Sequence, residues 1–118
     1  LELGITVASV GLRLEPTGAP IAWQADVVAT AKRDLTPGDL LDGEGGFTVY
    51  GRLTPAADSL RIGGLPLGLA HGVKLKRAIK VGMPVRWSDV QVDPSDTCVG
   101  VRRLMEQSFG ASFDMNER

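Results

Sequence analysis

The stretch DVVATAKRDLTPGDLL, residues 26–41, has the pattern of a β-strand followed by a tight turn. Small and β-branched residues alternate over residues 26–33, which predicts a strand. Pro37 presets the backbone for the first central position of a turn, and Gly38 can take the positive φ of the second position. An apolar run resumes at Leu40. The stretch therefore predicts a β-corner.

The same order of features returns later in the chain, where residues 75–85 echo residues 31–41. Both copies hold a Lys-Arg pair, an apolar anchor, a turn glycine and a closing apolar residue. The matched pairs are Lys32 with Lys76, Arg33 with Arg77, Leu35 with Ile79, Gly38 with Gly82, and Leu41 with Val85. Two copies are too few for a solenoid. They predict two pseudo-repeated β-corners packed on each other.

Glycines mark the sharp bends between the predicted strands, because glycine adopts positive φ at little steric cost. Five of them are the candidate structural turns: Gly38, Gly43, Gly45, Gly46 and Gly82. After the glycine loop, residues 47–53 alternate as a strand, with Phe47, Val49 and Leu53 on one face. Residues 72–79 form a further predicted strand.

Helices are predicted at both ends of the chain. Residues 1–14 are apolar and fit a helix, although a strand also fits their pattern. A second helix is predicted over residues 97–109, capped by Ser95 or Asp96 and stopped by Gly110. Its apolar stripe, expected to face the core, is Cys98, Val101, Leu104, Met105 and Phe109. Its expected wet face is Arg102, Arg103, Glu106 and Gln107.

The chain divides into four predicted parts. They are a connecting helix and Pro/Gly loop over residues 1–25, a β-rich body over residues 26–93, a helix over residues 94–110 and a flexible tail over residues 111–118. The overall expectation is a mostly β fold with short helices.

Composition excludes several classes of protein. Thirteen basic and 14 acidic side chains give a net charge of −1, which argues against an electrostatic nucleic-acid binder. No apolar run approaches the roughly 18 residues of a transmembrane helix. The single cysteine rules out an intrachain disulfide framework and a thiolate metal cluster, and it fits a cytoplasmic location. Because the chain starts with Leu1 and lacks a signal-peptide pattern, we expect it to be a piece of a longer protein.

Several of these segments resemble a known family. The turn LTPGDLL after a strand and a basic pair resembles the first half of the SAF module, and GLPLGLA followed by VKLKRAIKVGMPVRWSDV resembles its second half. The SAF module is a small, mostly β fold called a β-clip. Nearly the whole chain is similar to the C-terminal region of bacterial NAD(P)-dependent oxidoreductases described as homoserine-dehydrogenase-like, which include the 1-deoxy-D-xylulose-5-phosphate reductoisomerase-like enzymes. LDGEGGFTVYG, residues 41–51, is the most specific piece.

This resemblance implies an accessory role. A parent oxidoreductase would carry a Rossmann domain, a catalytic domain and this SAF-like C-terminal domain, which packs on the catalytic domain and borders the substrate entrance. NAD(P) is implied for the parent, and no cofactor or active site is expected in this domain. The expected partners are the other domains of the parent chain and other copies in a homo-oligomer. Two alternatives stay open: an independent SAF module that binds a sugar acid or phosphate, and an assembly chaperone of the flagellar or pilus type.

Five basic residues are the candidate ligand-binding residues. They are Lys32, Arg33, Lys74, Lys76 and Arg77. If the two corners bring the basic pairs to one side, their charged donors would bind a carboxylate or a phosphate. The alternative is a solvated strand face that discourages edge pairing.

For the other residues that could take part in catalysis or ligand binding, the sequence predicts structural roles. His71 is the only histidine and has no evident nucleophile or carboxylate partner in sequence, so it is expected on the surface or in a turn. Cys98 is expected to be a small core residue. The glycine loop over residues 43–46 precedes a strand and carries an acidic residue, which argues against dinucleotide binding. Trp23 and Trp87 are expected to anchor the core or an interface.

Overall fold

A computed structural model describes residues 2–116 of the chain, with side chains described for residues 2–110. The elements in chain order are α1 (Glu2–Ala8), continued by a π-helical turn (Ser9–Arg13), β1 (Ala25–Ala31), β2 (Leu40–Asp42), β3 (Val49–Pro55), α2 (Ala56–Ile62), a 3-10 turn (Leu67–Leu69), β4 (His71–Leu75), a 3-10 turn (Trp87–Asp89), β5 (Val90–Gln91) and α3 (Thr97–Asn116). The predicted class, a small and mostly β fold with helices at its ends, is confirmed.

Two small antiparallel sheets form the body. β1 pairs with β3, and β4 lies between β2 and β5. The other edge of β1 is also occupied, because the amide of Ala29 donates to the Leu65 carbonyl at 2.9 Å and the amide of Ala31 donates to the Met83 carbonyl at 3.0 Å. β1 is therefore enclosed, and its last four residues are all buried instead of alternating.

The two corners are related by a pseudo-twofold arrangement of backbone hydrogen bonds. At its centre, Leu35 and Ile79 exchange hydrogen bonds of 2.8 and 3.0 Å. Around them, the amide of Gly38 donates to the Leu75 carbonyl at 2.9 Å, and the amide of Gly82 donates to the Ala31 carbonyl at 2.8 Å. Both glycines have positive φ, 95° and 79°. The repeat seen in sequence is thus a repeat in space, with each corner closed by the other's strand.

The three apolar residues predicted to share one face of residues 47–53 do not share one environment, because only Val49 among them is fully buried. Phe47 is 85% exposed because β3 begins at Val49 and Phe47 still belongs to the preceding loop. Leu53 pairs with Val27 at the outer end of the two-stranded sheet and is also exposed.

The predicted faces of the C-terminal helix are wrong in part, because Met105 and Phe109 are half-buried and Arg103 and Gln107 are exposed, as expected, but other positions are reversed. Arg102 and Glu106 face the body and are nearly buried, whereas Val101 and Leu104 are each 63% exposed. Cys98, expected in the core, is exposed in the first turn. The physical reason is that the body presents a buried carboxylate and two tryptophan rings to this helix, and these attract its guanidinium groups.

The ends of α3 also differ in part from expectation. Asp96 caps the helix, because its carboxylate accepts hydrogen bonds from the amides of Cys98 and Val99. Gly110 does not end the helix, which continues to Asn116 through residues predicted as tail. A single glycine costs about 1 kcal/mol in a helix, which does not suffice to stop it. Residues 117 and 118 of the predicted tail lie outside the described residues.

The N-terminal helix stands apart from the body. Among residues 2–116, no strand and no other helix makes more than a marginal contact with α1 or its π-helical turn. None of the helices in that part of the chain is both long and apolar enough to cross a membrane.

Candidate functional site

The first basic pair is held by its own corner. The ammonium of Lys32 donates to the Gly46 carbonyl at 2.5 Å. The guanidinium of Arg33 donates to the Asp34 carbonyl at 3.1 Å and lies 3.5 Å from the carboxylate of Asp39. Both side chains therefore stabilise the turn and the glycine loop. These contacts engage hydrogen-bond donors that an anion would need.

The remaining candidate cations point outward. Lys74, Lys76 and Arg77 are exposed, and in the described part of the chain their side chains form neither an ion pair nor a hydrogen bond. Lys76 and Arg77 occupy the pseudo-symmetric positions of Lys32 and Arg33. A joint anion site built from both pairs stays a prediction.

A single carboxylate organises the glycine loop, residues 42–48, which we call the Asp42 loop. Asp42 accepts hydrogen bonds from the Phe47 amide at 2.6 Å, from the Thr48 amide at 3.0 Å and from the Thr48 hydroxyl. These hydrogen bonds hold the pKa of Asp42 well below its usual range, and the bond from the Thr48 hydroxyl has the largest effect. A Cβ on Gly46 would collide with this carboxylate, so the loop can close only with glycine there.

The Asp42 loop does not fit a dinucleotide. A pyrophosphate site needs backbone amides at the start of a helix. Here the loop leads into β3, and the amides of Phe47 and Thr48 already donate hydrogen bonds to the carboxylate of Asp42. The residues present therefore leave no place for a phosphate group in this loop.

His71 lies beside the same loop. Its Nδ1 donates to the Asp42 carbonyl at 3.1 Å, which leaves Nε2 as the acceptor nitrogen in the neutral ring. His71 lines a cavity of about 360 Å³, to whose lining Asp93, Asp96 and Cys98 also belong. Asp96 is engaged as the cap of α3. Within residues 2–110, no three His, Cys, Asp or Glu side chains are arranged to hold a metal ion.

A charged cluster fastens α3 to the body. Arg102 donates two hydrogen bonds to Asp26, at 3.1 and 2.6 Å, and a third to Glu106 at 2.8 Å. Glu106 also accepts a hydrogen bond from the Trp87 indole at 3.1 Å. Burial alone would raise the pKa of Asp26, but the hydrogen bonds from Arg102 and Ser59 outweigh it and lower that pKa. All three charges are thus compensated in a site with little water.

The tryptophans complete this cluster, which we call the α3 anchor. The guanidinium of Arg102 lies 4.7 Å from the centre of the Trp23 ring, and that of Arg103 lies 4.1 Å from the centre of the Trp87 ring. These distances allow cation–π attraction. Sequence reasoning assigned Arg102 and Glu106 to the wet face and missed this arrangement. The one available signal was their spacing of four, which suits an ion pair on one helix face.

The fold defines a small β-domain built from two mutually closing corners. A family model of the SAF domain matches residues 26–91, from the second residue of β1 to the end of β5. The match covers more than half of the chain, and the chain belongs to the SAF domain family. No curated protein matches it.

Proposed function

We propose that this SAF domain is the accessory C-terminal domain of a cytoplasmic NAD(P)-dependent oxidoreductase of the homoserine-dehydrogenase-like type. It packs on the catalytic domain, borders the substrate entrance and leaves cofactor binding and hydride transfer to the Rossmann and catalytic domains. The proposal is motivated by the segments of the sequence that resemble that family, and the SAF family match over residues 26–91 supports its coarser part, a SAF domain. The substrate of the parent enzyme is outside the proposal.

The observation that carries this role is the position of Phe47. Residues 41–51, the segment on which the proposed resemblance chiefly rests, include the Asp42 loop, and this loop holds Phe47 outward at 85% exposure. Asp42 and Lys32 brace the loop from within. A rigid, exposed aromatic side chain is typical of an anchor that fills a pocket on a partner surface. We expect that partner surface on the catalytic domain.

Two measurements test the proposal on the complete polypeptide that the gene encodes. Calorimetric titration with NADH and NADPH is expected to show binding to the complete polypeptide and none to the 118-residue chain. The variant Phe47→Ser is expected to separate the melting of this domain from that of the catalytic domain, whereas Phe47→Leu keeps an apolar anchor and one transition. NAD(P)H turnover by the 118-residue chain, or equal melting of both variants, would contradict the proposal.

A second candidate function is anion binding, favoured by the exposed cations Lys74, Lys76 and Arg77. A phosphate or sugar-acid group would accept charge-assisted hydrogen bonds from them. Titration of inorganic phosphate and of gluconate, followed by amide NMR shifts, tests this function. Saturable shifts that centre on residues 74–77 and vanish in Lys76→Gln would support it. Unsaturated shifts that persist in the variant would reject it.

A further inference from the structure

A cavity of about 290 Å³, which we call the α2 cleft, lies between the β1–β3 sheet and helix α2. Val28 and Arg52 are paired directly across the two strands, so their side chains share one face of the sheet. Both residues line the cleft. Asp58 and Ile62 of α2 belong to the same lining, as does Pro84, which follows the second corner. Three separate parts of the fold therefore build this cavity.

The inner lining of the α2 cleft is fixed by the fold. Val28 and Thr30 line it and are each 1% exposed. Helix α2 is fastened to the sheet, because the hydroxyl of Ser59 donates to the Asp26 carboxylate at 2.5 Å. A Cβ on Gly64, just after α2, would lie 2.9 Å from a methyl group of Val28, so the chain packs tightly there. The cleft is thus formed before any ligand arrives, as most small-molecule pockets are.

The α2 cleft combines an apolar wall with an uncompensated cation. Val28, Ile62 and Pro84 supply the apolar wall. Arg52 is exposed, and within residues 2–110 its guanidinium forms neither an ion pair nor a hydrogen bond. A guanidinium binds a carboxylate well, because its planar fork donates two parallel charge-assisted hydrogen bonds. The cleft therefore offers one anion receptor beside a surface for an apolar group.

Asp58 and the volume of the cleft limit what can bind. Asp58 pairs with Arg61 through one oxygen at 2.8 Å, and its second oxygen accepts no hydrogen bond from the described residues. A second negative charge on a ligand would be repelled by this carboxylate. The cleft has room for roughly ten water molecules at about 30 Å³ each. It is therefore too small to enclose a nucleotide and suits a ligand of a few carbon atoms.

We infer that the α2 cleft binds a small aliphatic monocarboxylate. The carboxylate lies on the Arg52 guanidinium, and the aliphatic part lies against Val28, Ile62 and Pro84. The inference concerns the 118-residue chain itself and goes beyond the proposed function. It is also separate from the second candidate function, because residues 74–77 do not line this cleft.

Titration of the 118-residue chain with isovalerate, followed by amide NMR shifts, tests the inference. Saturable shifts are expected at Val28, at Thr30 and over residues 52–62, with a midpoint in the millimolar range for a ligand this small. Isovaleramide has the same shape without the charge and is expected to bind at least about tenfold more weakly. Shifts that do not saturate, or equal binding of the amide, would overturn the inference. Saturable shifts confined to residues 74–77 would also overturn it and would support the second candidate function.

Variants of one arginine sharpen the test. Arg52→Gln is expected to weaken isovalerate binding at least about tenfold and, because the side chain is exposed, to keep the melting temperature within about 3 °C of the wild type. The control Arg77→Gln changes another exposed arginine and is expected to affect neither. If Arg52→Gln does not fold, Arg52→Lys replaces it and is expected to bind several-fold more weakly, because lysine lacks the paired donors. Wild-type affinity in the Arg52 variant would overturn the inference.

The role of Asp58 has its own test. Succinate carries two carboxylates and is expected to bind the wild type more weakly than isovalerate does. Asp58→Asn removes the opposing charge and is expected to strengthen the binding of succinate more than that of isovalerate. An equal change for the two acids would show that Asp58 does not select the charge of the ligand, and the restriction to monocarboxylates would be wrong.

Discussion

Asp42 shows how one carboxylate can make the folding of a loop depend on pH. Its hydrogen bonds to Thr48 and Phe47 keep its pKa well below the usual range. A carboxyl group with a lowered folded-state pKa stabilises the protein above its unfolded-state value of about 4, and the contribution is lost as the pH falls below it. We expect the free energy of unfolding to fall between about pH 5 and about pH 2, and to fall less in Asp42→Asn. Urea unfolding followed by tryptophan fluorescence measures both.

A matched carboxylate serves as the control for this prediction. Asp58 is half-exposed and forms an ion pair only with Arg61, three residues along α2. Such surface pairs contribute little to stability. Asp58→Asn removes the same charge as Asp42→Asn. If both variants weaken the pH dependence of the free energy of unfolding to a similar extent, that dependence comes from the net charge of the protein and not from the Asp42 loop.

At the scale of an element, helix α3 is held by buried charge. Arg102, Asp26 and Glu106 are mutually bonded and nearly removed from water. Removing one member of a buried ion pair costs about 3–5 kcal/mol, because it strands the opposite charge. Arg102→Met is therefore expected to destabilise the chain by about 3 kcal/mol in urea unfolding. Combining it with Asp26→Asn is expected to cost less than the sum of the two single changes.

Arg103 gives the control on the same helix. It bonds the same Glu106 at 2.8 Å and stacks on Trp87, but its side chain is 48% exposed. Pairs this exposed contribute up to about 1 kcal/mol. Arg103→Met is expected to cost no more than about that amount. If both arginine variants cost the same, burial of charge is not what fastens the helix.

The α3 helix also marks what sequence alone could establish. The apolar spacing predicted that the helix exists, and Asp96 was one of its two candidate caps. Both features depend on local spacing and hydrogen bonding. The inward face that the spacing predicted is wrong in part, because the choice depends on Asp26, far away in β1, and on two tryptophan rings. Phe47 was misplaced for a similar reason: the carboxylate of Asp42 extends the loop by two residues. Long-range polar contacts have no signature in apolar periodicity.

The corners were predictable because they repeat. Turn glycines and apolar anchors recur at matched positions, and the repeat in the sequence pairs Leu35 with Ile79. In space the two residues are hydrogen-bonded to each other. A ligand-binding role is harder to predict from sequence, since a basic pair has the same sequence pattern whether it binds an anion or, like Lys32, a carbonyl of its own loop.

At the scale of the whole molecule, the fold depends on the junction of its two corners. Leu35 and Ile79 are buried there and exchange two backbone hydrogen bonds. Truncating such a side chain to alanine costs about 2–4 kcal/mol. Because the two sites touch, Leu35→Ala and Ile79→Ala together are expected to cost less than their sum by at least about 0.5 kcal/mol. The exposed neighbour Val81→Ala is expected to change stability by less than about 0.5 kcal/mol. Strict additivity of the two core variants in urea unfolding would mean that the side chains of Leu35 and Ile79 are not coupled across the pseudo-twofold junction.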